Sequence, residues 1–182
     1  PEIMACGVVS GQELEQLLSR PSVLVIGPGL GRSPWSEQML QAAAKSGLPM
    51  VVDADALNIL AEGRILPDAQ ARENWLFTPH PGEAARLLGV TSAEINADRF
   101  ASIASIQQKF GGAVILKGAG SLVLGETGVT GIVTAGNPGM ATGGMGDVLS
   151  GIAGALIAQG LSVEEAAQLS AVLHASAADL AV

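Results

Sequence analysis

Four short, uninterrupted apolar runs, each ending in a glycine-rich or polar loop and each followed by a helical pattern, restrict this chain to an α/β architecture. Val23-Leu-Val-Ile26 enters Gly27-Pro-Gly-Leu-Gly31, and Pro49-Met-Val-Val-Asp53 enters Ala54-Asp-Ala-Leu-Asn58. Trp75-Leu-Phe77 enters Thr78-Pro-His-Pro-Gly-Glu83, and Ala113-Val-Ile-Leu116 enters Lys117-Gly-Ala-Gly-Ser121. Runs that are apolar at consecutive positions suit strands buried on both faces, as in parallel sheets. Helices are expected from Ser33 or Ser36 to about Ser46, over Ala54 to Ala61, Glu83 to Leu88 and about Ala93 to Phe110. Two more run from near Asp147 to Gly160 and from Val163 to about Leu180. Ser121–Leu124 and Gly131–Thr134 flank Gly125-Glu-Thr-Gly128 and predict a hairpin. The expectation is a single domain over residues 1–182, with a central, mostly parallel sheet flanked by helices on both faces. Beginning at Pro1 and stopping inside its last helix, the chain reads as truncated at both ends.

Charge narrows the partners. A net charge of −8 with no basic run argues against binding to a phosphate backbone. The apolar stretches fall far short of a bilayer span, so no membrane partner is expected. A lone cysteine, Cys6, excludes an internal disulfide and fits a reducing, cytoplasmic setting.

In an open α/β sheet, ligands bind beyond the carboxyl ends of the strands, which directs attention to the loops. Gly136-Asn-Pro-Gly-Met-Ala-Thr-Gly-Gly-Met-Gly-Asp147 leads straight into an apolar helix. Backbone N–H groups of Gly144, Met145 and Gly146, backed by the helix N-terminus, would form an anion hole for phosphate. Asp147 at its mouth could accept the proton of an attacking hydroxyl; the plain alternative is that it only caps the helix. Lys117 could touch a phosphate, with Gly118, Ala119, Gly120 and Ser121 allowing a nucleotide to lie against the backbone. The alternative there is an ordinary glycine turn. His80 is held between two prolines, and Glu83 could serve the helix dipole or reach a metal through water. No direct metal ligand is assigned. Asp53 and Asn58 could orient a polar substrate, with Asp55 as a possible helix cap. His174 reads as packed or surface-exposed. The Gly27–Gly31 loop lacks the spacing of a dinucleotide fingerprint, since residue 34 is proline.

Residues alone lead to a nucleotide-dependent enzyme acting on a small hydroxylated molecule. The ordered set Val25–Gly31, Val52–Asn58, Thr78–Glu83, Leu116–Gly120 and Gly143–Asp147 closely resembles the NAD(P)H-hydrate dehydratases, carbohydrate-kinase-like repair enzymes of the ribokinase superfamily. The resemblance implies a ribokinase-like fold and a hydro-lyase activity. In it, ADP phosphorylates the hydroxyl of the S-epimer of hydrated NADH or NADPH, and loss of phosphate regenerates NAD(P)H. It implies that Gly31, His80 and Asp147 contact the hydrate, and that Lys117–Ser121, Gly143, Gly144 and Gly146 hold the nucleotide. Asp147 would be the base, and Mg²⁺ would accompany the phosphates. It also implies a homo-oligomer and an epimerase domain on the full-length chain. The rivals are a ribokinase-like kinase for a small alcohol, such as a vitamin precursor, and a nucleotide-binding module without catalysis.

Overall fold

The computed structural model describes residues 3–65 and 72–182. Among them, α1 (Gly11–Leu17) precedes a six-stranded sheet whose spatial order follows the chain: β1 (Leu24–Ile26), β2 (Met50–Val52), β3 (Trp75–Phe77), β4 (Ala113–Leu116), β5 (Ser121–Leu124) and β6 (Gly131–Val133). β1 to β4 are parallel, whereas β5 pairs antiparallel with both β4 and β6. The expected hairpin therefore forms, and it turns a parallel sheet into a mixed one.

A sheet that grows in one direction through right-handed crossovers must place all the connecting helices on the same face. These are α2 (Pro34–Lys45), α3 (Ala54–Ala61), α4 (Pro81–Leu88), α5 (Ser92–Ala97) and α6 (Arg99–Phe110). Leu40, Leu57, Leu87 and Ile103 from that layer pack with Met50, Val52, Phe77 and Val114. The alternate strand residues Val51, Leu76, Ile115 and Val123 point the other way, toward α7 (Met145–Ala158) and α8 (Val163–Leu180). Leu149, Ala153, Ala167 and Ala171 meet them there. Small residues let these helices sit close: a Cβ added to Gly154 would lie 2.5 Å from Val25 Cγ2. Among the described residues, no helix is long and apolar enough to cross a membrane.

Several local expectations are corrected. β1 is an edge strand, and Val25 is 44% exposed, so this run is not buried on both faces. The helix expected from about Ala93 to Phe110 is two helices. Asp98 ends α5 at φ −145°, ψ 86°, and its side chain accepts from Ala101 N–H at 2.9 Å to start α6. α4 starts at Pro81 with His80 as its cap, two residues before Glu83. Ser33, rather than Ser36, caps α2, and Asp53, rather than Asp55, caps α3. In each case a polar side chain preceding the first helical residue satisfies an end-of-helix N–H that would otherwise lack a partner.

Candidate functional site

The carboxyl ends of β2, β3 and β4 converge on the N-terminus of α7. Asp53, one residue beyond β2, is 1% exposed and occupied on both oxygens. Its Oδ1 accepts from Ala54 N–H at 2.9 Å and from Lys117 Nζ at 2.8 Å, and its Oδ2 accepts from Ser150 Oγ on α7 at 2.7 Å. The tight turn at Asp53 leaves Ala54 at φ +47°, a left-handed conformation that non-glycine residues seldom hold without support. Gly27 explains the first glycine loop in other terms than nucleotide binding. At φ +127° its missing Cβ leaves room for the Asp53 carbonyl, which would otherwise lie 1.7 Å away.

Lys117 ties the β4 end to two other loops. Its N–H donates to the Pro79 carbonyl at 2.8 Å, and its ammonium, besides pairing with Asp53, lies 3.9 Å from Glu83 Oε2. Glu83 is 5% exposed, and burial pushes its carboxyl above the usual carboxylate range against the opposing pull of Lys117. The same Oε2 accepts from His80 N–H at 2.8 Å. The His80 ring folds back so that Nδ1 accepts from the N–H groups of Gly82 (2.9 Å) and Glu83 (3.4 Å). A Cβ at Gly82 would lie 2.8 Å from His80 Cε1, which is why glycine follows Pro81. With Nδ1 accepting, the proton of the neutral imidazole sits on Nε2, which lies 3.4 Å from Glu83 Oε1 in a side chain that is still half exposed.

Over this pair lies the start of α7. Gly144 takes the left-handed conformation (φ +90°) that turns the loop into the helix. Gly146 lies against the Lys117–Asp53 pair, for a Cβ there would come within 3.2 Å of Lys117 Nζ. Of the three N–H groups expected in the anion hole, that of Met145 donates to the Thr142 carbonyl at 3.3 Å. Those of Gly144 and Gly146, joined by that of Asp147, have no partner among the described residues. Nor does Asp147 cap the helix: its exposed carboxylate makes no capping hydrogen bond. Asp147 lies instead in the first turn of α7, where its negative charge suits the helix N-terminus.

A cavity of about 530 Å³ opens beside this helix start. Its rim carries Lys117–Ser121 and Gly146, and its walls come from Ile115, Val133, Gly136–Pro138, Met140, α7 and α8. The structure thus brings together Asp53, His80, Glu83, Lys117 and Gly146 through direct contacts, and places the Lys117–Ser121 turn on the cavity. Gly143 lies exposed in the same loop. Gly31 joins from the β1 loop, where its N–H donates to Asp55 Oδ2 at 2.8 Å. Asn58 is occupied elsewhere, donating to the Ala54 carbonyl (3.2 Å) and accepting from Arg86 (3.0 Å).

Three contributors were missed in the sequence. Arg99, at the start of α6, reaches the carbonyls of Ala119 (2.8 Å), Gly120 (2.9 Å) and Leu116 (3.0 Å), gripping the turn from outside. Ser150 anchors α7 to Asp53. His174 is buried in the cavity wall, and the one available signal was its helical spacing with Ala171 and Ala175, which share that face.

Fold and site together define the class, a ribokinase-like α/β protein in which a glycine loop delivers a helix N-terminus to the edge of a cavity. A crystal structure of a ribokinase-like superfamily protein from Enterococcus faecalis superposes with a TM-score of 0.80 at 29% identity, covering 93% of this chain and 59% of that one. The family model described as NAD(P)H-hydrate dehydratase matches residues 1–182, and the chain belongs to that family. It is 49% identical over 181 residues to a bifunctional NAD(P)H-hydrate repair enzyme of Coxiella burnetii, covering 100% of this chain and 36% of that protein. It is also 47% identical over 161 residues to an ADP-dependent (S)-NAD(P)H-hydrate dehydratase of Neisseria meningitidis, covering 86% of this chain and 54% of the relative. The chain therefore spans about a third to a half of the length of these relatives.

Proposed function

We propose that this chain forms a single ribokinase-like domain that performs the ADP-dependent dehydration of the S-epimer of hydrated NADH or NADPH. The observation that carries the reading is the start of α7: beside a nucleotide-sized cavity, three N–H groups have no partner among the described residues, Gly146 lies against the Lys117 ammonium, and the exposed Asp147 follows in the same turn. ADP lies in the cavity against Lys117–Ser121, with its terminal phosphate toward Gly144 and Gly146. Asp147 accepts the proton of the nicotinamide ring hydroxyl as the phosphoryl group transfers to that oxygen. Transfer breaks the terminal P–O bond of ADP and leaves AMP. The ring C–O bond then breaks as the adjacent ring carbon gives up a proton to solvent, so that phosphate departs and the C–H electron pair restores the ring double bond. In such chemistry the protein chiefly positions groups and stabilises charge, which glycine amides and one carboxylate can do. His80 and Gly31 hold the hydrate, whereas Asp53, buried with both oxygens engaged, joins Glu83 in fixing the Lys117 charge and is not expected to touch the substrate.

Mg²⁺ fits only as an ion carried by the phosphates. Asp53 has both oxygens engaged, Glu83 already accepts from His80, and no cluster of three or more metal-ligating side chains occurs among the described residues. It would be held through phosphate oxygens and water, and would supply charge neutralisation. The reading extends to an epimerase domain on the full-length chain, as the bifunctional relatives' name suggests, and to a cytoplasmic setting. A homo-oligomer is supported by an outward apolar stripe on α8, formed by Leu169, Val172, Leu173 and Leu180.

The test mixes full-length protein with hydrated NADH, ADP and Mg²⁺ and follows the return of reduced-nicotinamide absorbance. Recovery should require ADP and drop about 10²–10⁴-fold in Asp147→Asn, the usual contribution of a positioned base. Phosphate passing instead to a small alcohol as a stable ester would support the kinase reading and reject the dehydratase.

A further inference from the structure

The cavity has a wall that phosphate binding does not use. α8 contributes Ala171, His174 and Ala175, and the Gly136–Met140 stretch lies alongside. The two are bound into one body: Asp179 accepts from Gly136 N–H (2.8 Å) and Asn137 Nδ2 (3.2 Å), and Asn137 Nδ2 also donates to the Ala178 carbonyl (2.9 Å). Most of the surroundings are apolar, namely Val133, Met140, Leu149, Ala171 and Ala175. Among them stands one imidazole, 8% exposed, whose Nε2 is sealed from solvent and has no hydrogen-bond partner among the described residues.

A buried polar atom without a partner calls for a reason, and a functional role on the cavity it lines is one. Burial and the nearby Lys117 charge both lower the basicity of His174, so its ring is neutral near pH 7. A neutral imidazole presents one N–H and one lone pair. A planar heterocycle offers what this wall lacks and takes what it provides: apolar faces to lie against alanine and methionine, and an edge of alternating acceptors and donors. A phosphate or a sugar offers neither face. On the reading that a nucleoside diphosphate occupies the cavity, we infer that His174 recognises the edge of its base, and so makes the site selective among nucleotides.

Titration calorimetry of the full-length protein with ADP, GDP and inorganic pyrophosphate, each with Mg²⁺, tests this. His174→Phe keeps a ring but loses both polar atoms; His174→Gln keeps a donor and an acceptor and serves where the phenylalanine variant does not fold. His174→Phe should weaken ADP about tenfold, the effect of one lost buried hydrogen bond. Pyrophosphate should bind as before, and the ADP-to-GDP preference should move toward one; in His174→Gln that preference should change while ADP binding survives. An unaltered preference in the folded variants, or equal losses for ADP and pyrophosphate, would overturn the role of His174. Failure of the unaltered protein to bind ADP at all would instead overturn the nucleotide reading on which it rests.

Discussion

At the scale of the residue, Gly27 is held by a contact that no other amino acid type could keep. Gly27 lies so close to the Asp53 carbonyl that Gly27→Ala must displace the β1 end from the β2 end. Thermal unfolding should show a loss of about 3 kcal/mol or more, at the severe end of single substitutions. Gly29→Ala, whose Cβ would meet open space, should cost much less despite its left-handed φ of +65°. His174 makes a prediction of opposite character. Its protonation is disfavoured in the folded state, so the unfolded chain binds more protons near and below pH 6.5. The stability that depends on a neutral His174 is complete above about pH 6.5 and is lost as pH falls through the lower folded value. Denaturant midpoints for His174→Phe should therefore fall less steeply between about pH 6.5 and pH 5 than those of the unaltered chain.

At the scale of the element, the Lys117–Ser121 turn owes its shape to a guanidinium from α6. Lysine cannot serve three carbonyls at the angles Arg99 does. In Arg99→Lys, KM for ADP should rise about tenfold or more, the equivalent of losing one to two charged hydrogen bonds, with kcat changed far less. A kcat loss equal to the KM change would show that Arg99 does more than hold the turn. Elements also show where sequence patterns sufficed. Each apolar run became a strand because burial on at least one face was written into consecutive Val, Leu, Ile and Met residues. The loops after those strands carried the site because open sheets expose their carboxyl ends. What escaped was of two kinds. Local competition hid the break at Asp98, which lies in an otherwise continuous helical pattern, and the cap at His80, a residue type seldom found in that role. Long-range pairing hid Arg99, Ser150 and the bond between Lys117 and Asp53, since partners 17 to 97 residues apart leave no periodic trace. The partial exposure of β1 was equally invisible, because edge and centre strands can share one composition.

At the scale of the whole molecule, the cavity lies between the sheet and the α7–α8 layer. β4 and β5 supply its rim, α7 and α8 its walls. A ligand that binds there and not to the unfolded chain must stabilise both by mass action. Saturating ADP at about a hundred times its Kd should add about 2.7 kcal/mol and raise the midpoint of thermal unfolding, while a nucleoside without phosphates should add far less. An equal rise with adenosine alone would mean that the helix N-terminus contributes nothing to binding.

The strand order has a temporal corollary. Because β1 to β4 and the helices between them follow the chain in sequence, a growing polypeptide can complete that layer from its own emerged residues. The other face has to wait for α7 and α8, and α8 closes at Leu180. During synthesis, then, Val51, Leu76 and Ile115 have no cover until α7 and α8 emerge, and the cavity forms after the sheet. On the proposed function, competence to bind ADP would follow only once α8 has emerged, and a ribosome paused before α8 would hold a sheet half clothed and without its cavity.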